Sequence, residues 1–300
     1  MRWAVSLLAV LAVLMAAAPS QASEPAADGV LRIEAGPVRL DVPAAERAAW
    51  ALAPGQARRR AAAWLRARST ARGAGIGARL SWDASLVRRV VAAAASGSRS
   101  IAMPQAVSRV TLVAPAVRQR YRNDCEAAAL SIALRDASGQ ERLQRALPRA
   151  EPREARNTVR GLVWGDPEIG FVGSVGGGGY GVYDRPLLAV ARQRDSGAEN
   201  LTGRPLATML AALRDGHPIV AWVTLGVSQP FAWHTQRGGV VHANRAEHAI
   251  TLTGWSRSLI EYVDPWDGRS KTLAVADLAA RWLPLGRRAV ALSARPAHAG

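Results

Sequence analysis

Gln119-Arg120-Tyr121-Arg122-Asn123-Asp124-Cys125-Glu126-Ala127-Ala128-Ala129-Leu130-Ser131-Ile132-Ala133-Leu134-Arg135 contains the one cysteine of a 300-residue chain. Asp124 is a helix-capping residue type, Glu126 suits a first turn, and the Ala/Leu run closing on Arg135 predicts a helix that Cys125 opens. Free backbone N–H groups at a helix start favour an anion, and the thiolate is the nucleophilic form of cysteine. In such settings thiol pKa values fall from ~8.5 into the range ~3.5–7.5. Asp124 and Glu126 oppose that effect, and a small cysteine also packs well at a helix start, so the position admits a passive core residue as well as a reactive thiol. Six residues upstream, the Gln119 amide can reach the same space and act as an oxyanion donor beside the Cys125 N–H.

Working outward, the N-terminus bears on why the cysteine is single. A basic start at Arg2, an apolar run from Trp3 to Ala18 and Pro19-Ser20-Gln21-Ala22 form the three-part pattern of a signal peptide over residues 1–22, cleaved after Ala22. The run is at or below the ~17–25 apolar residues that span a bilayer, and no later segment is apolar enough, so no transmembrane segment is expected after cleavage. The expected location is secreted or cell-surface associated. Outside the cytosol cysteines usually pair, and a lone one has no internal partner.

The net charge is +16, carried almost wholly by arginine, with Lys271 the sole lysine. Such a balance suggests nucleic acid, but export removes that partner, so the charge points instead to anionic cell-wall polymers or lipid headgroups. About half of the residues are hydrophobic, enough for a full core in one large domain or two smaller ones.

Alternation between residues 28 and 43, around Gly36-Pro37, predicts a small hairpin. From Pro43 to Arg72 an Ala/Arg-rich stretch including Arg58-Arg59-Arg60 predicts one or two helices with a basic face, broken by Gly73, Gly75 and Gly77. Asp83 to Ala95 predicts another helix, ended by Gly97. Residues 96–104 read as a linker. The expected division is an N-terminal extension of unknown role, 23–105, and a unit carrying the chemistry, 106–300.

Among His217, His234, His242, His248 and His298, His248 opens a period-two stretch to Trp255 that predicts a strand. Leu259–Val263 predicts the next, with Ser256-Arg257-Ser258 as the turn. A hairpin centred near Ser256 brings residue 264, an Asp, opposite His248 within one or two positions. Residues opposite one another have Cβ atoms about 4.5–5.5 Å apart, close enough for Asp264 to hold the imidazole in one tautomer. Pro265 ends the strand. A structural His–Asp pair without catalytic duty fits the same pattern. The run Gly173–Gly181 lacks the Lys-Ser or Lys-Thr of a phosphate loop, and His234, His242 and His248 lack zinc spacing, so neither metal nor cofactor is expected.

Gln119, Asp124-Cys125 with its Ala-rich helix, His248 at the head of a hydrophobic strand, and Tyr262-Val263-Asp264-Pro265 with Gly268 together resemble the bacteriocin-processing (double-glycine leader) cysteine peptidases. The closer likeness is to their exported stand-alone, peptidase-like relatives. Trp164–Gly173, Gly179–Tyr183 and Leu213–Val223 resemble the midsection of that family, and the likeness spans about 107 to 292. It implies an α+β, papain-like cysteine peptidase fold, with the nucleophile helix packed on an antiparallel sheet behind a mainly helical extension. It also implies Cys125, His248 and Asp264 as a triad, with Gln119 as oxyanion donor. The expected function is an exported cysteine peptidase or amide hydrolase acting on a peptide or wall peptide through an acyl-enzyme. Two rivals are a non-catalytic cell-wall-binding module on the same fold and a papain-like acyltransferase or transpeptidase.

Overall fold

The computed structural model describes residues 29–294, apart from 53, 74 and 160, together with 297–298. The expected signal peptide, 1–22, lies outside the described residues. Strands β1 (Leu31–Ala35) and β2 (Val38–Val42) form the expected hairpin, turned by Gly36 at φ +58°. Every second residue, from Leu31, Ile33 and Ala35 to Val38, Leu40 and Val42, is fully buried, which is the alternation read in the sequence.

Helices α1 (Ala44–Leu52) and α2 (Pro54–Ala67) follow, joined by an edge-on Trp50–Trp64 contact with centroids 6.0 Å apart. Next come strands β3 (Thr70–Gly73) and β4 (Ile76–Leu80), then helix α3 (Ala84–Ala95). The Asp83 carboxylate caps α3 by accepting from the N–H groups of Ser85 and Leu86 at 2.7 and 2.9 Å. The glycines expected only to break a helix thus turn a hairpin, Gly75 supplying its φ of +77°. The expected linker is also partly a strand, since β5 (Ser100–Ala102) pairs in parallel with β1. The N-terminal segment therefore carries five strands beside its helices, where a mainly helical extension was expected.

Strand β6 (Val107–Leu112) leads to α4 (Cys125–Ala133) and α5 (Gln140–Ala146). Short strands β7 (Arg156–Thr158), β8 (Gly161–Val163), β9 (Val172–Gly173) and β10 (Gly179–Gly181) precede α6 (Asp184–Arg192), β11 (Glu199–Asn200) and α7 (Leu206–Arg214). Then come β12 (Ile219–Thr224), β13 (Pro230–His234), β14 (Val240–Asn244), β15 (Glu247–Ser256), β16 (Leu259–Asp264), β17 (Arg269–Ala274), α8 (Val275–Trp282) and β18 (Ala289–Ala291).

One nine-stranded sheet runs β11-β18-β12-β15-β6-β4-β3, with β16 and β17 branching from β15. It is continuous from the β3–β4 hairpin to the strand that carries His248, because β6 pairs with both β4 and β15. The apolar run Ile219–Val223 is buried on both sides, as an uninterrupted apolar strand should be. Val220 and Trp222, with Ala249, face Ala127, Ala129 and Leu130 of α4. Ile219, Ala221 and Val223, with Ile250 and Leu252, face Met209 and Leu213 of α7 and Leu278 of α8. The Thr251 hydroxyl fixes α4 to the sheet by donating to the Ala129 carbonyl at 2.7 Å.

Candidate active site

Cys125 is the first residue of α4 and is 6% exposed. Asp124 holds the N-cap position but does not cap the helix. Its carboxylate faces backwards, accepting from the Tyr121 N–H at 3.1 Å and from the Gln140 amide, so it fastens the approach loop to α5. The first turn of α4 is instead dominated by Glu126, whose carboxylate lies beside the thiol.

Glu126 is completely buried. One of its oxygens accepts the Val182 N–H at 2.6 Å, and the other takes the Cys125 S–H at 3.3 Å. Gly181, at φ +117°, leaves this carboxylate its room, since a Cβ there would stand 2.0 Å from Glu126 Oε1. Glu247, at the start of β15, completes a cluster in which the ligand atoms of Cys125, Glu126 and Glu247 lie within 4.8 Å of one another. Glu247 Oε1 is buried with no hydrogen-bond partner.

Burial and the Cys125 and Glu126 neighbourhood set the protonation. Burial raises Glu126 to about 7 against the opposing Val182 hydrogen bond, and burial with the Glu126 charge raises Glu247. The thiol is pushed up by burial first, then by the charges of Glu126 and Glu247, with the Ala249 N–H acting against them. In this conformation Cys125 is a neutral thiol, and the helix start does not overcome two acidic neighbours.

Sheet geometry brings the predicted base and its carboxylate together. His248 Nε2 and Asp264 Oδ1 are 2.7 Å apart, and both residues are buried. The ladder pairs Thr251 with Val263 and has a bulge between Leu252 and Gly254, so Asp264 falls diagonal to His248, two positions from the expected register. Asp264 also accepts from the Trp266 N–H at 2.9 Å and from Lys271 Nζ at 2.7 Å. Burial tends to raise Asp264, but the bonds from His248 and Lys271 outweigh it and hold the carboxyl far below the ordinary carboxylate range.

The thiol and the imidazole are not joined by a hydrogen bond. Alternation along β15 turns Ala249 and Thr251 toward α4 and Ile250 and Leu252 toward α7 and α8. His248 is in phase with the second set, while Glu247 and the Ala249 N–H meet the thiol. Sγ therefore sits at the head of β15, next to the backbone that carries the imidazole, and the ring nitrogen left open by Asp264 is Nδ1.

Gln119 has its amide N–H groups on the carbonyls of Tyr121 and Arg122, at 2.8 and 3.0 Å. The amide nitrogen is thus committed to the approach loop, and Gln119 Oε1 is buried without a partner among the described residues. The glycine-rich run docks on the same loop, where the Asn123 amide donates to the carbonyls of Ser174 and Gly177. Of the other histidines, His217 bonds the Leu292 carbonyl, and His234 and His242 lie in the separate β13–β14 sheet.

Sequence reasoning missed Lys271 as a partner of Asp264 and Glu247 as a neighbour of the thiol. Lys271 could have been found from strand phase, because it faces Tyr262 in the ladder and shares the face of Asp264. Glu247 had no such signal, since its meeting with Cys125 is set by how α4 docks.

No family model and no curated protein sequence matches the chain. Among solved structures, the chain is similar to a crystal structure of a candidate C39-like peptidase from Bacillus anthracis. The identity is 22%, and the match covers 60% of this chain and 94% of that one at a TM-score of 0.52. The likeness is one of fold: over the matched part, this chain shares the fold of that C39-like structure.

Proposed function

We propose that the protein is an exported cysteine peptidase or amide hydrolase in which substrate binding brings the Cys125 thiol and the His248 ring together, Cys125 attacks, His248 accepts its proton at Nδ1, and Asp264 orients the ring. The observation that carries the reading is the buried His248–Asp264 pair at 2.7 Å, whose histidine lies on β15, the strand against which the Cys125 helix packs. A carboxylate kept ionised beside an imidazole favours the imidazolium that forms as the thiol attacks. Lys271 secures that carboxylate from its other side. The imidazolium gives that proton to the amine as the C–N bond breaks and the amine leaves, and water then hydrolyses the acyl-enzyme, returning Cys125 to the thiol. Gln119 reaches the oxyanion position only by leaving the carbonyls of Tyr121 and Arg122, so its role requires the approach loop to rearrange on substrate binding.

The test is hydrolysis of a peptide library by the mature protein, with Cys125→Ala and His248→Ala alongside. The expected result is turnover that both variants abolish while their circular dichroism matches the wild type; turnover retained in Cys125→Ala would remove the reading. A second reading, a binding module with a silent thiol, is favoured by one observation: the Cys125 hydrogen bond goes to Glu126. It expects no turnover, and iodoacetamide labelling of Cys125 that is equally slow with and without His248.

A further inference from the structure

We propose that the cleft between α2 and α3 binds a flexible phosphodiester polyanion. Charge segregation comes first: residues 44–99 hold eleven arginines against two acids, Glu46 and Asp83, so this fifth of the chain carries more than half of its net charge of +16. Eight of these arginines fall into two groups. Arg47, Arg60, Arg68 and Arg89 spend their guanidinium groups on carbonyls of the same helical layer or its neighbour, and Arg68 also stacks on Trp64 at 4.0 Å. Arg58, Arg59, Arg66 and Arg88 make no hydrogen bond or salt bridge among the described residues, and these four line one cleft of about 430 Å³.

Within that cleft the only opposing charge is Asp83, whose Oδ1 already caps α3. Four guanidinium groups lining one cleft repel one another, an anion between them relieves that repulsion, and a planar fork matches phosphate oxygens two at a time. Trp82, 8% exposed, forms part of the wall, and its Nε1–H has no partner among the described residues.

The shape and lining select the class of polyanion. A bilayer surface is disfavoured because the arginines line a recess and, among the residues whose burial is described, no exposed large hydrophobic residue lies on α1, α2 or α3. Bases are disfavoured because Trp50, Trp64 and Trp82 are all buried, leaving no aromatic platform for stacking. A base-free phosphodiester chain satisfies the charge and enters the cleft without either feature. The cleft lies on the N-terminal helices rather than at Cys125, so it stands apart from the proposed catalytic reading.

The experiment titrates the full mature chain, and its Cys125→Ala variant, with a fluorescent synthetic poly(glycerol phosphate) over a range of salt. Four contacts predict a log–log salt slope of about −3, and each removed arginine should lower its magnitude by about 0.7. Arg58→Gln/Arg88→Gln should weaken binding about tenfold or more at low salt. Arg204→Gln/Arg237→Gln, an equal charge change at exposed sites elsewhere, should leave binding nearly unchanged, as should Cys125→Ala. Equal losses in the two double variants would reduce the effect to overall charge and overturn the proposal. Tighter binding of a thymidine oligonucleotide of matched charge, or binding only to phosphatidylglycerol vesicles, would overturn it in favour of those ligands. Thermal unfolding of each variant separates loss of the cleft from loss of the fold.

Discussion

At the scale of single residues, Glu126 controls the behaviour of the thiol. Its carboxyl is raised to about 7 by burial, so folding favours its protonated form. The stabilising contribution is complete below the ordinary glutamate value and is lost as pH rises through about 7, amounting to roughly 3 kcal/mol across that window. Thermal stability of the wild type should therefore fall between about pH 4.5 and pH 8, and Glu126→Gln, which keeps the shape and the Val182 bond, should flatten the slope. The same variant removes the negative charge that Glu126 takes on, 3.3 Å from Sγ, as pH rises through about 7. Its thiol should ionise at lower pH, and iodoacetamide should label it about tenfold faster near neutrality. Unchanged labelling would mean that Glu126 does not restrain the thiol. The sequence placed Glu126 beside Cys125 and gave the sign of its effect; its full burial depends on Val182 and Gly181, more than fifty residues away.

Between elements, β10 and α4 meet through Gly181. Its positive φ and the 2.0 Å approach of a built Cβ to Glu126 Oε1 exclude any larger residue. Gly181→Ala should displace the buried carboxylate and break its bond from the Val182 N–H, lowering stability by about 1–3 kcal/mol in chemical denaturation. Glu126→Gln, which retains that bond, should lose much less, and equal losses would show that the contact carries no energy. The helix of Cys125 was legible from its run of helix formers and the strands of His248 and Asp264 from alternation. The fine setting was decided elsewhere: the turn centres between Arg257 and Ser258 and a bulge in β15 moves the ladder by one, so Asp264 lies two positions from directly opposite His248, within the expected range, and Asp124 turned from the helix cap to Gln140. Both outcomes come from tertiary partners that local pattern does not contain.

For the whole molecule, the continuous sheet matters more than the apparent linker. β6 lies between β4 and β15, so removing residues 23–105 exposes the edge of β6 and the apolar side chains beneath it. That truncation should produce a protein that aggregates or unfolds at markedly lower temperature, measured by size-exclusion chromatography and thermal scans. A truncated chain as stable and monomeric as the full one would show that the shared sheet contributes nothing. Gly254 marks the crossing, where a Cβ would lie 2.8 Å from the Val110 carbonyl oxygen, and this close approach lets β15 pair with β6 beyond the point where β12 ends, while β16 stays paired with β15.

By itself the sequence determined the local elements and the chemistry they carry. Composition and spacing made Cys125 the head of a helix, His248 the head of a strand, and Asp264 a residue near it across a hairpin, because these follow from capping, period and turn length over short distances. The likeness to the double-glycine peptidase relatives implied a papain-like arrangement, and the structural similarity supports that fold. Tertiary structure alone decided the rest. It gathered Glu126 and Glu247 around the thiol, sent the Gln119 amide to its own loop, added Lys271 to Asp264 and joined the N-terminal strands to the central sheet. Those outcomes rest on docking angles, burial and hydrogen-bond competition among segments far apart in the chain, and none of these has a local signature.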